Sequence, residues 1–159
     1  MPQGYVKPVN AIVADTEGLI SHEYEIGANA TAAKMLPGIG VEFDTSDWCV
    51  KETADESKVV LGVLDVASDM LITDAYAVGD PCRVIEHGKC LVRLLAGGAA
   101  VQPGTPLVVN ADGLWQKQAV GAIGTQGAPP AYALESVNPV AQTLCLAMVT
   151  GQREAAAAA

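Results

Sequence analysis

The chain has 159 residues, half of them apolar but only 4% aromatic, and 18 acidic against 9 basic side chains give a net charge of −9. That length sets one domain, able to bury about 68–70% of its unfolded surface in a core of Val, Leu, Ile and Ala. The scattered bases exclude nucleic-acid binding, which needs clustered cations to neutralise phosphates, and no apolar run approaches the ~20 residues of a membrane helix.

Residues 1–8, punctuated by Pro2, Gly4 and Pro8, read as an extended N-terminal arm without a secretion signal, and residues 9–14 as a first strand. Asp15-Thr16-Glu17-Gly18 supplies a turn. Over residues 19–26 polar and apolar residues alternate, with Ile20, His22, Tyr24 and Ile26 on one face, the period of a half-buried strand. The alanine-rich stretch 28–35 suits about one turn of helix, stopped by Pro37-Gly38. Strands are expected again over 40–43, 48–51 and 58–66, with the acidic residues 52–56 as a solvated loop.

Residues 75–117 carry the densest β signals, short runs meeting turn residues every eight to twelve positions, as in small barrels and sandwiches. Residues 81–86 and 89–94 flank His87-Gly88, which predicts a two-residue hairpin. Residues 107–109 and 114–117 flank a second turn, Asn110-Ala111-Asp112-Gly113. Residues 119–130 hold too many glycines and prolines for regular structure and read as a long exposed loop. Residues 132–137 and 143–149 close the sheet, and 152–159 form an alanine-rich tail. The expected fold is all-β: a small single-domain β-barrel or β-sandwich over 9–151, with long loops and the N-terminal arm. A faint internal echo, Pro37-Gly38 leading to Trp48 and Pro103-Gly104 leading to Trp115, fits two related β-units, with chance as the competitor.

Reactive chemistry is sparse. Cys49, Cys82, Cys90 and Cys145 are widely spaced within apolar runs and are expected to be reduced and mostly buried. Cys82, His87 and Cys90 have metal-capable side chains, but His87 falls in the predicted turn and a fourth ligand is missing, so core cysteines are the expectation. Asp65 with Asp69, or Glu17 with Glu23, read as solvated surface carboxylates rather than acid–base pairs. Asp44, Asp47 and Asp112 read as turn residues. No catalytic, cofactor or metal residue is assigned, and the chain is expected not to be an enzyme.

Gly79-Asp80, Gly88, Pro103-Gly104, Leu107, Val109 and Asp112-Gly113, with the valine-rich run 58–67, resemble the pattern of the capsid cement or decoration proteins of tailed phages and related viruses. The resemblance covers about residues 37–117. It implies a non-enzymatic virion protein, made in the host cytoplasm, that sits as a homotrimer on the outer face of the capsid and clamps neighbouring subunits of the major capsid protein. The contact residues expected are Pro2, Tyr5, Val6, Pro8 and Val9 of the arm and Ile123, Pro129 and Pro130 of the loop. The alternative is a biotinyl- or lipoyl-like carrier, with Lys89 beside a turn glycine, or another small β-barrel binding module; Gly88-Lys89-Cys90 lacks the neighbours usual around a modified lysine.

Overall fold

The computed structural model describes residues 10–54, 59–119, 129–141 and 143–150. Their regular structure is β1 (Ile20–Ile26), β2 (Gly40–Phe43), β3 (Cys49–Glu52), β4 (Gly62–Leu64), β5 (Pro81–Arg93), β6 (Pro106–Val109), β7 (Trp115–Lys117), β8 (Ala131–Ala133), β9 (Leu144–Val149) and one 3-10 turn at Ala32–Lys34.

The hairpin predicted at His87-Gly88 does not form. β5 runs through it as one strand of 13 residues, its first half paired with β1 and β4 and its second half with β9. A two-residue turn needs positive φ at its first position, and His87 does not supply it; only Asn10 and Trp48 do so among described non-glycine residues. Gly88 does use its freedom, at φ 137, beside a register shift opposite Ile20 and Ser21. It marks an irregularity within the strand, not a reversal.

Two rings of strands share β5. In the first, β1, β3, β2, β4 and β5 pair in that order and β5 returns to β1, closing a five-stranded barrel. In the second, β5, β9, β8, β6 and β7 pair in order, and a parallel bridge from Leu94 to Trp115 closes the circle. The two rings agree residue for residue. Val41 pairs Glu52 as Leu107 pairs Lys117, and Val63 pairs Ile85 as Tyr132 pairs Met148. Ile26 pairs Val50 in parallel as Leu94 pairs Trp115. Loop bonds match too: Gly38 N–H donates to the Leu64 carbonyl and Gly104 N–H to the Ala133 carbonyl, both at 2.8 Å.

The cores follow the same plan. Ile26, Val41, Val50, Leu64, Cys82 and Val84 fill the first barrel, and Leu94, Leu107, Trp115, Ala133, Cys145 and Ala147 hold the counterpart places in the second. Trp115 stands where the first barrel has Val50, and Ala133 and Ala147 replace Leu64 and Val84, which keeps total volume near constant. Arg93 joins the units: its backbone N–H donates to Gly38, its Nε to the Pro37 carbonyl at 3.0 Å and its Nη2 to the Ile72 carbonyl at 2.7 Å.

Two other expectations change. The first strand expected over 9–14 is reduced, among its described residues, to a strap along β5 with one bridge, Val13 to Cys90. Glu52 and Thr53, expected in a solvated loop, are buried: Glu52 lies in β3, where its carboxylate accepts from the Thr31 N–H.

Candidate binding surface at the mouth of the first barrel

In a barrel strand, alternate residues face inward. Val41 and Phe43 share the inner face of β2, but Val41 is fully buried while Phe43 is 58% exposed, because the strand runs out at the barrel mouth. Tyr24 of β1 lies beneath it, its ring edge-on to Phe43 at 6.0 Å and tilted against Trp48 at 5.7 Å. Trp48, 66% exposed, comes from the loop between β2 and β3. Three of the chain's seven aromatic side chains thus meet at one opening.

The surrounding loop is pinned by Asp44, whose carboxylate accepts from the Asn29 backbone and side-chain N–H groups and from the Thr45 N–H, at 3.0, 2.8 and 2.7 Å. Burial pushes the Asp44 carboxyl up, but those hydrogen bonds and the nearby Lys51 outweigh it and hold the group below its ordinary value. On the other side, Tyr24 Oη donates to Glu86 Oε1 at 2.7 Å, and Glu86 also meets His22 Nδ1. Burial first, then this carboxylate, raises the Tyr24 phenol far above its usual range, so it stays a donor.

Trp48 sits at φ 60, in the left-handed region. For a large L-residue that costs about 1–2 kcal/mol. Its counterpart in the second barrel is Gly113, at φ 74, where the same conformation is free of strain. The two mouths also differ in cover. In the second barrel, Gly113 gives its carbonyl to the Gly40 N–H at 2.8 Å and packs on Ile39, while Val109, the counterpart of Phe43, packs on Gly40 and is buried. The first barrel's mouth has no such cover among the described residues. Two shallow depressions of about 420 and 360 Å³ flank Trp48, lined by Tyr24, Phe43, Asp44, Asp47, Glu23 and Glu25 among others, with no Lys or Arg in either lining. Glu23, Glu25 and Asp47 are exposed.

Of the contact residues expected from the sequence, Pro2, Tyr5, Val6, Pro8, Val9 and Ile123 lie outside the described residues. Pro129 is half-buried, and Pro130 is buried with its carbonyl accepting from the Thr150 N–H at 3.0 Å. Cys82 and Cys90 belong to different barrel cores, and eight residues of extended strand separate them by about 26 Å. They cannot share a metal ion with His87. Burial pushes the Cys82 thiol up to about 12, the reverse of what a nucleophile needs. Lys89 lies within β5, near Asp15, not at a turn tip, which removes the structural basis of the carrier reading.

Phe43 and Trp48 were legible only as strand residues. The signal that could have marked them is the sole phenylalanine five positions from one of two tryptophans, bracketing the turn-forming Asp44-Thr45-Ser46-Asp47 in an aromatic-poor chain.

No family model and no curated protein matches the sequence. Among solved structures, the N base of the head fiber gp8.5 of bacteriophage phi29 is similar, at 15% identity over 86% of this chain and 99% of that one, with a TM-score of 0.49. A likeness at that level does not establish a common activity. The fold itself defines the class: an all-β protein of two fused five-stranded barrels.

Proposed function

We propose that the chain is a non-enzymatic structural protein of a virus head, bound as a homotrimer to the outer face of the capsid and clamping neighbouring subunits of the major capsid protein. The observation that carries this reading is the aromatic mouth: the exposed rings of Phe43 and Trp48, backed by the buried Tyr24 and held in place by a hydrogen-bonded loop, the composition of an interface anchor. The turn-and-strand pattern shared with decoration proteins supports it. Pro103-Gly104 and Asp112-Gly113 both lie at bends that frame β6, with Gly104 at φ 87 and Gly113 at φ 74. The arm residues Pro2, Tyr5, Val6, Pro8 and Val9 and the loop residues Ile123 and Pro129 are proposed as further contacts, whereas Pro130 is buried and is not.

The mechanism is mechanical. A protein that binds assembled shell and not free coat subunits shifts assembly by mass action, and repetition over many copies multiplies a modest contact. The test is co-sedimentation with expanded capsids alongside the solution mass. A trimer that pellets with particles, and pellets less after deletion of residues 2–8, is expected. A monomer that stays in the supernatant refutes the reading.

A further inference from the structure

We propose that the open mouth of the first barrel is a receptor for an arginine side chain presented by a partner protein, its guanidinium stacked on Trp48 and Phe43 and paired with Glu23, Glu25 or Asp47. This stands whether the partner is a coat protein or another chain.

The comparison between the two barrels shows that this mouth is built to be covered. The second barrel's mouth is stoppered by the first unit, through Ile39 and Gly40. The first barrel's mouth instead presents two large aromatic rings, and keeps one of them on a backbone conformation that its counterpart assigns to glycine. Strain retained at an exposed residue is a mark of a functional position.

Charge decides what covers it. The depressions beside Trp48 are lined by carboxylates and by no cation, in a chain that already carries −9. Aromatic faces attract cations, and a carboxylate rim adds to that field. Asp44 is committed to its own loop, which leaves Glu23, Glu25 and Asp47 as the exposed acids. A guanidinium suits the site better than an ammonium, because it is flat enough to stack on a ring while its edge pairs a carboxylate. A second copy of this chain cannot repeat the internal contact. The counterpart of Gly40 is Pro106, which has no N–H to donate to the hairpin tip.

The experiment uses fluorescence of the whole chain, since Trp48 is exposed while Trp115 is fully buried. The probe is an acetylated, amidated Gly-Arg-Gly-Arg-Gly peptide, with a citrulline peptide as the neutral isostere and maltohexaose as a carbohydrate. Saturable quenching by the arginine peptide is expected, about tenfold weaker with citrulline. Trp48→Ala and Phe43→Ala abolish binding, followed for the first by calorimetry, with circular dichroism confirming the fold. Glu23→Gln with Asp47→Asn weakens it about tenfold. Glu17→Gln with Asp69→Asn removes the same charge from exposed positions that line neither depression and leaves it unchanged. Equal binding of the citrulline peptide, equal losses from both double variants, binding of maltohexaose in place of the peptide, or no binding at all overturns the proposal.

Discussion

The two barrels hold a tryptophan and a glycine in one backbone conformation, and exchanging them measures what each place demands. A Cβ at Gly113 would stand 2.8 Å from the Gly40 carbonyl oxygen and 3.2 Å from the Ile39 Cβ, at φ 74. Neither neighbour is the free end of a flexible side chain, so the clash moves backbone. The left-handed conformation costs an alanine about 1–2 kcal/mol, and overpacking adds about 1–3 kcal/mol. Gly113→Ala is therefore expected to lose about 3 kcal/mol, a fall in Tm of roughly 6–12 °C for a domain of this size. Trp48→Gly relieves the same strain but loses ring contact with Tyr24, worth about 0.5–1.5 kcal/mol, and gives the unfolded chain extra freedom, worth about 0.5–1 kcal/mol. The terms nearly cancel, so this variant should lie within about 1 kcal/mol of wild type. Urea unfolding followed by circular dichroism, with linear extrapolation, gives both numbers. A near-neutral Gly113→Ala, or a Trp48→Gly that loses more than about 2 kcal/mol, refutes the matched conformations.

Three further outcomes are expected. Burial raises the Asp65 carboxyl above its ordinary value, so its charged form destabilises the fold at pH values above the folded pKa, and that penalty disappears as pH falls below the unfolded value. Asp65→Asn keeps the acceptor for the Val66 N–H and should raise Tm at pH 7, with the gain gone near pH 3; no gain at pH 7 contradicts this. Cys82, Cys90 and Cys145 are buried and Cys49 is half-buried, with burial raising the first two and Cys49 as well; an aromatic disulfide reagent at pH 8 should modify Cys49 first and the others only at the rate of unfolding. Arg93→Met strips two charge-assisted bonds from the Pro37 and Ile72 carbonyls, each worth about 1.5–3 kcal/mol, and should lower the urea midpoint by an amount equivalent to about 3 kcal/mol, with Arg93→Lys failing to restore both bonds.

Much of the strand content was visible in the sequence because alternation is a local signal. Residues 19–26 alternate and form β1, and Asn110-Ala111-Asp112-Gly113 joins β6 to β7 as expected, with Asn110 Oδ1 accepting from the Asp112 and Leu114 N–H groups. β5 was misread for a physical reason. Where it passes into each barrel it is covered on both faces, so Val84 and Ile85 and then Cys90, Leu91 and Val92 are all buried, while Glu86 and His87 between them are half-buried and Lys89 is exposed. Such a strand shows apolar runs instead of alternation, and Gly88 then looks like a break between two strands. The internal echo was real in Pro37-Gly38 and Pro103-Gly104, where Gly38 and Gly104 take φ 94 and 87. Its tryptophans were not counterparts: pairing aligns Trp115 with Val50, a core place, and Trp48 with Gly113. The aromatic mouth escaped notice because exposure at the end of a barrel depends on which neighbour covers it, and nothing local to Phe43 or Trp48 encodes that.

Sharing β5 has a mechanical consequence that two tandem barrels would lack. Neither ring closes without it, since β1 and β4 depend on its first half and β9 on its second. Val63 and Ile85 of the first ring also pack into the same apolar cluster as Leu91 and Trp115 of the second. Loosening either barrel therefore exposes part of the other's core. A load applied at the Trp48 mouth passes through β1 into β5, and from there through hydrogen-bonded ladders into β9, without crossing a flexible linker. Under the proposed structural role, that continuity matters more than the strength of any one contact. It is also why a strained tryptophan can be kept at the rim: the loop carrying it is fixed by Asp44 to one unit, and that unit is fixed by Arg93 and β5 to the other.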